Sequence, residues 1–84
     1  MEIFDKVKKI LSELSGIEKI CIEHELQGDL GFDSLQMIMM LMMLEENFNI
    51  LLKESDMNPF DLISVENVVN LVKKYLRSNN NENQ

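Results

Sequence analysis

Three side chains of this 84-residue sequence are the first to weigh for chemistry: the hydroxyl of Ser34, the imidazole of the single histidine, His24, and the thiol of the single cysteine, Cys21. Ser34 lies in L-G-F-D-S-L, Leu30 to Leu35, at the opening of the most strongly apolar stretch of the chain. From Ser34 to Phe48 there is no Gly or Pro, good helix formers dominate, and apolar residues occupy at least one face throughout, which predicts a helix of roughly four turns. Gly31 interrupts the chain just before it, and Asp33 is a favoured N-cap whose carboxylate accepts free first-turn N–H groups. Ser34 is then the first helical residue, with its hydroxyl exposed. On spacing alone, D-S-L is a weak motif and its serine reads first as an ordinary capping residue.

The other two reactive groups carry less. A hydrolase built on Ser34 and His24 needs a triad geometry and an oxyanion hole, and no G-x-S-x-G elbow is present. Cys21 reads as a small buried hydrophobe or an incidental surface thiol, and as the sole cysteine it has no internal disulfide partner. Gly-rich phosphate loops, metal-ligand clusters and D-x-D-x-D-G calcium loops are missing from the sequence.

The wider pattern around Ser34 says more. L-G-x-D-S-L followed by an apolar helix closing in L-E-E-x-F resembles the phosphopantetheine attachment site of acyl and peptidyl carrier proteins. The resemblance covers nearly the whole chain and implies an all-α fold: a small four-helix bundle with a long first loop and a short third helix. It also implies that Ser34 bears 4'-phosphopantetheine, derived from coenzyme A, through a phosphodiester, and that acyl groups ride on the arm's thiol as thioesters. Asp33, by the same resemblance, helps a phosphopantetheinyl transferase grip the site. Acyl- or aminoacyl-loading and condensing enzymes are the further partners, and the protein itself is no enzyme. The new phosphodiester would lie near the positive end of the helix dipole, a favourable placement of about 0.3–1 kcal/mol.

Faces of the Ser34 helix separate by spacing. Met37, Met40, Leu41, Leu44 and Phe48 follow the i, i+3, i+4, i+7 rule and form its core stripe. Leu35, Ile38, Met39 and Met42 lie on another side, where they either fill a core that surrounds the helix or form a docking surface flanked by Glu45 and Glu46. A domain of this size cannot wrap a helix completely, which favours docking, and flexible methionines suit several partners in turn. By resemblance, Leu35, Ile38 and Met42 match positions through which carriers dock on their enzymes. Carriers of primary fatty acid synthesis usually have acids at the positions matching Gln36 and Met39. This chain has neither, which moves the reading towards a stand-alone carrier for a dedicated peptide- or polyketide-type system, with the fatty-acid carrier as the alternative. An unmodified helical adaptor using the methionine-rich face is the reading from another class.

The remaining elements must position that helix. A first helix is expected over about Glu2 to Leu14, with Ile3, Val7, Ile10 and Leu14 on one stripe, Phe4 and Leu11 beside it, and Gly16 ending it. Residues 17–33 lose all period and read as a long loop pinned by Ile17, Ile20, Ile22, Leu26 and Leu30. After Phe48, Ile50 to Leu52 pack down, and Asn58-Pro59 opens a short helix through about Ile63. Ser64 caps a last helix facing Val65, Val68, Val69, Val72, Tyr75 and Leu76 inward, with Lys73, Lys74 and Arg77 near its negative pole. Residues 78–84 have no apolar side chain and read as a disordered tail to a carrier domain of residues 1–77.

Composition bounds the partners. With 45% hydrophobic residues and a net charge of −7, the chain makes one small core and no cleft-bearing second layer. Eleven acids against two bases between Glu18 and Glu66 repel nucleic acid and favour partners with basic patches. The acidic start M-E-I-F-D and the lack of an 18-residue apolar run lead us to expect a soluble, cytoplasmic protein with no membrane partner; a monomer is expected.

Overall fold

In the computed structural model, residues 2–82 are described, with side chains as far as Ser78. Three α-helices carry the fold: α1 (Ile3–Ser15), α2 (Ser34–Phe48) and α3 (Val65–Glu82), with single 3-10 turns at Glu54–Asp56 and Pro59–Asp61 between the last two. Helix α1 packs against both α2 and α3. Its apolar stripe explains why: Val7, Ile10 and Leu11 are buried, and Ile3, Phe4 and Leu14 lie half-buried against the same core. Gly16, at φ 78°, takes the left-handed conformation that stops α1, and its N–H donates to the Ser12 carbonyl.

The long loop of residues 17–33 is irregular yet thoroughly bonded. Its carbonyls of Ile22 and His24 accept the N–H groups of Glu66 and Val65 at 3.1 and 2.9 Å, and Leu26 N–H donates to the Ile63 carbonyl at 2.9 Å. Ile20, Leu26, Leu30 and Phe32 are buried, while Ile17 and Ile22 are half-buried. Phe32 therefore joins the expected anchors.

Four expectations change at the C-terminal side. The Asn58-Pro59 helix is one 3-10 turn: Asn58 Oδ1 does accept from Phe60 N–H, but Leu62 is extended and the Ile63 carbonyl accepts from Leu26 N–H of the loop, so no second turn forms. Of Ile50 to Leu52, Leu51 faces solvent while its two neighbours are buried, as alternation in an extended segment requires. Helix α3 continues over residues 78–82, into the stretch read as a disordered tail, because extending a formed helix adds one backbone bond per residue; Asn83 and Gln84 lie outside the described residues. Consequently Lys73, Lys74 and Arg77 are not in the last turn of α3.

Lys74 instead serves a clip that holds the connection down. Tyr75 Oη accepts from Lys53 N–H at 2.8 Å and donates to Asp56 Oδ2 at 2.5 Å, while Lys74 Nζ lies 3.2 Å from that same oxygen. The tyrosine hydrogen bond, aided by Lys74, holds the Asp56 carboxyl below its ordinary value of 3.8. Burial, followed by the bond to Asp56, raises the Tyr75 phenol above its ordinary value of 10.0. A depressed carboxyl stabilises the fold above its unfolded pKa, and the contribution disappears as pH falls through the folded one. The raised phenol contributes below its unfolded pKa and is lost as pH rises through its folded value. Asp56→Asn should therefore lower the melting temperature at pH 7 and flatten its decline below about pH 4; an unchanged acid limb in thermal melts would show that the clip carries no stability.

Candidate functional site

The start of α2 is built by reciprocal capping. Gly31, at φ 73°, reverses the chain after the buried Leu30, and Phe32 inserts into the core, so Asp33 arrives at the helix start in extended conformation. Asp33 Oδ1 accepts from Gln36 N–H at 2.8 Å, and its carbonyl accepts from Met37 N–H at 3.0 Å. Gln36 Oε1 returns the bond, accepting from Asp33 N–H at 3.1 Å, which completes a capping box. Two of the four first-turn N–H groups are thus satisfied by Asp33, and those of Ser34 and Leu35 have no intrahelical acceptor.

Ser34 is the first residue of α2 and is exposed, as Asp33 is. An exposed primary hydroxyl on a helix N-terminus can accept a phosphoryl group from a second protein without rearrangement of this one. The resulting anion meets the positive helix pole and free first-turn N–H groups. The residues present fit an arm joined through a phosphodiester on both counts: access for a transferase and compensation of the charge.

Beside Ser34, α2 divides as the spacing predicts. Met37, Met40, Leu41 and Leu44 are buried, with Phe48 half-buried. Leu35, Ile38, Met39 and Met42 are exposed by 65, 43, 41 and 58%. Their side chains make an open apolar stripe running down from the serine, with a shallow depression lined by Met39, Met42, Met43 and Glu46 at its lower end.

Two polar residues of α2 are engaged by backbone groups of the protein itself. Glu45 does not flank the stripe as a free acid: its Oε2 accepts from Leu52 N–H at 2.8 Å, which ties the end of α2 to the segment that follows. Gln36 has no free amide either, since its Nε2 donates to the Leu14 carbonyl at 3.1 Å. The D-S-L-Q spacing contains the capping-box signal for the first of Gln36's bonds, but nothing in the sequence points to Leu14. Glu46 remains exposed.

His24 is not organised as a base. Its Nδ1 accepts from Cys21 N–H at 3.0 Å within its own turn, and its carbonyl binds α3. Cys21 is an exposed free thiol, which resolves its two readings in favour of the surface. Among the described residues no cluster of metal-binding side chains occurs, and no helix is long and apolar enough to cross a membrane.

Comparison with known proteins places these features in a family. The family described as a phosphopantetheine attachment site matches residues 5–72. The acyl carrier protein of Campylobacter lari is 36% identical over 75 residues, covering 87% of this chain and 95% of its own. That of Campylobacter jejuni is 38% identical over 74 residues, covering 86 and 94%. The crystal structure of an acyl carrier protein from Thermotoga maritima superposes with a TM-score of 0.72 at 26% identity, covering 88% of this chain and 86% of that one.

The two faces of α2 should respond differently to substitution. Met40→Ala and Leu44→Ala should each cost about 2–5 kcal/mol as buried large-to-small changes, whereas Ile38→Glu and Met42→Glu should leave the melting temperature nearly unchanged. Comparable losses in both sets, measured by thermal denaturation, would mean that the open stripe is packed in solution.

Proposed function

The chain belongs to the acyl carrier protein family, with a phosphopantetheine attachment site, and from that membership we propose that Ser34 takes the arm and that the carrier serves a dedicated peptide- or polyketide-type pathway. Proteins of this family are non-catalytic carriers that interact with a phosphopantetheinyl transferase and with acyl-processing enzymes. The covalently held 4'-phosphopantetheine supplies a terminal thiol on which acyl groups are carried as thioesters.

The observation that carries the assignment to Ser34 is its place: an exposed hydroxyl at the first position of α2, on the rim of an exposed apolar stripe. The chain has to offer an accessible oxygen, hold it at the helix pole, and present a surface for the transferase beside it. Asp33 serves by capping α2 and offering its exposed carboxylate to the transferase. Leu35, Ile38, Met39 and Met42 form the docking stripe, with Glu46 as its acidic flank. Residues 1–77 are read as the carrier unit, acting as a monomer in the cytoplasm.

The pathway reading rests on the same stripe. Met39 brings no charge to it, and Gln36 and Glu45 are engaged in internal hydrogen bonds. Docking is then chiefly apolar, with less of the acidic character that steers basic partners. Service in primary fatty acid synthesis is the second reading, favoured by the similarity to proteins named simply acyl carrier protein.

Incubation with coenzyme A and a broad-specificity phosphopantetheinyl transferase should add one arm by intact mass, and Ser34→Ala should abolish the addition. Modification of Ser12, Ser15, Ser55, Ser64 or Ser78 in that variant would refute the assignment. For the pathway, malonyl loading of the holo-protein by a fatty-acid-synthesis acyltransferase should be slow beside that of a fatty-acid carrier. Met39→Glu should speed it, with a gain that shrinks as salt rises, since exposed charges are screened beyond about 10 Å at 0.1 M ionic strength. Efficient loading of the unaltered stripe would select the fatty-acid reading.

A further inference from the structure

We infer that Gln36 is a positioning residue for modification of this carrier: its side-chain amide locks the first turn of α2, and with it Ser34, to the last turn of α1. The inference rests on the assignment of the arm to Ser34.

One planar amide closes two helix ends at once. At its oxygen, Gln36 accepts from the N–H of Asp33, the N-cap of α2; at its nitrogen, it donates to the carbonyl of Leu14, twenty-two residues earlier. That carbonyl belongs to the last turn of α1, where carbonyl groups have no intrahelical donor. In the same turn the Ser12 carbonyl takes the Gly16 N–H. The Leu14 carbonyl is reached instead from α2. Since the amide is planar and both its bonds go to backbone atoms, the position of the α2 start relative to α1 is set by the side chain that stands two residues after Ser34.

Other restraints on that helix start are less direct. The loop leading into it turns at Gly31, and the buried Phe32 anchors it through non-directional apolar contact. Gln36 adds two directional bonds next to a serine that must meet the phosphorus of coenzyme A in a second protein's active site. Displacement of a reacting atom by about 1 Å can cost on the order of a hundredfold in rate. No other amide-bearing side chain of the described part of α2 can replace it, because Asn47 lies at the opposite end and donates to the Met43 carbonyl.

The experiment compares wild type, Gln36→Met, which keeps length and loses both bonds, and Gln36→Glu, which keeps only an acceptor for Asp33 N–H. A core variant, Val69→Ala, serves as the stability control. Transfer of the arm to Ser34 is followed kinetically at a temperature where every protein is folded, together with side-chain amide exchange of Gln36 by NMR in the wild-type apo-protein. The expected result is a kcat lower by about tenfold for Gln36→Met, with KM within twofold because the docking stripe is untouched. Gln36→Glu should fall between, Val69→Ala should match wild type, and the Gln36 amide protons should be resolved and protected from exchange. Equal kcat in wild type and Gln36→Met would overturn the inference, and so would rapidly exchanging, averaged amide protons in the wild type, a result that stands even if the variant fails to fold. Loss of all loading at Ser34 in the wild type would instead overturn the attachment assignment.

Discussion

Helix α3 begins where the long loop supplies acceptors for it, and the rest of the molecule depends on that junction. Four N–H groups at a helix start need partners outside the helix. Here Val65 and Glu66 donate to the carbonyls of His24 and Ile22, Asn67 to the Ser64 hydroxyl, and Val68 to the Ser64 carbonyl. A loop without regular structure would otherwise bury unpaired backbone groups, each costly away from water. By using α3 as donor, the segment of residues 17–33 becomes ordered without forming a helix or sheet of its own. Leu26 extends the junction, donating to Ile63 and accepting from Phe32 at 3.0 Å, so the chain curls around a side chain that is wholly buried.

That curl delivers Ser34. Between the pinned Leu26 and the helix start lie a turn closed by the N–H groups of Asp29 and Leu30 on the Glu25 carbonyl, the reversal at Gly31 and the buried Leu30 and Phe32, so the loop's anchorage to α3 and Gln36's anchorage to α1 both bear on the helix start. The hydroxyl proposed to take the arm stays exposed while the apolar anchors before it in the loop are buried. A carrier needs this combination, since the reacting oxygen must be presented outward in a constant orientation while the catalytic groups reside in other proteins.

The other end of the bundle is held by polar bonds in place of helical turns. Asn49, left-handed at φ 54°, ends α2, Glu45 receives Leu52, and the Tyr75 hydroxyl joins Lys53 to Asp56. With only two 3-10 turns between α2 and α3, these side chains do the work that a longer third helix would do through its backbone. The exposed Leu51, Phe60 and Ile63 show how little of that connection is drawn inward.

Local signals in the sequence determined the limits of the serine-bearing helix, the stop of α1 and the presentation of the serine. The span Ser34–Phe48, the cap at Asp33 and the stop at Gly16 follow from spacing and from residue conformational preferences, which act within a few residues; spacing put Leu35, Ile38 and Met42 on one side of the helix, and the small size of the domain favoured their exposure. Resemblance in L-G-x-D-S-L carried the family and its prosthetic group. Tertiary structure alone decided which polar side chains were available to partners. Gln36 and Glu45 look like surface residues by spacing, and their bonds reach Leu14 and Leu52, acceptor and donor that are backbone groups and leave no trace in residue type. The same cause shortened the Asn58-Pro59 helix: its caps are legible, but the competing acceptance of Leu26 N–H by Ile63 comes from a loop thirty-seven residues away. Pairing between distant backbone groups is set by packing, and packing exists only once the chain has folded.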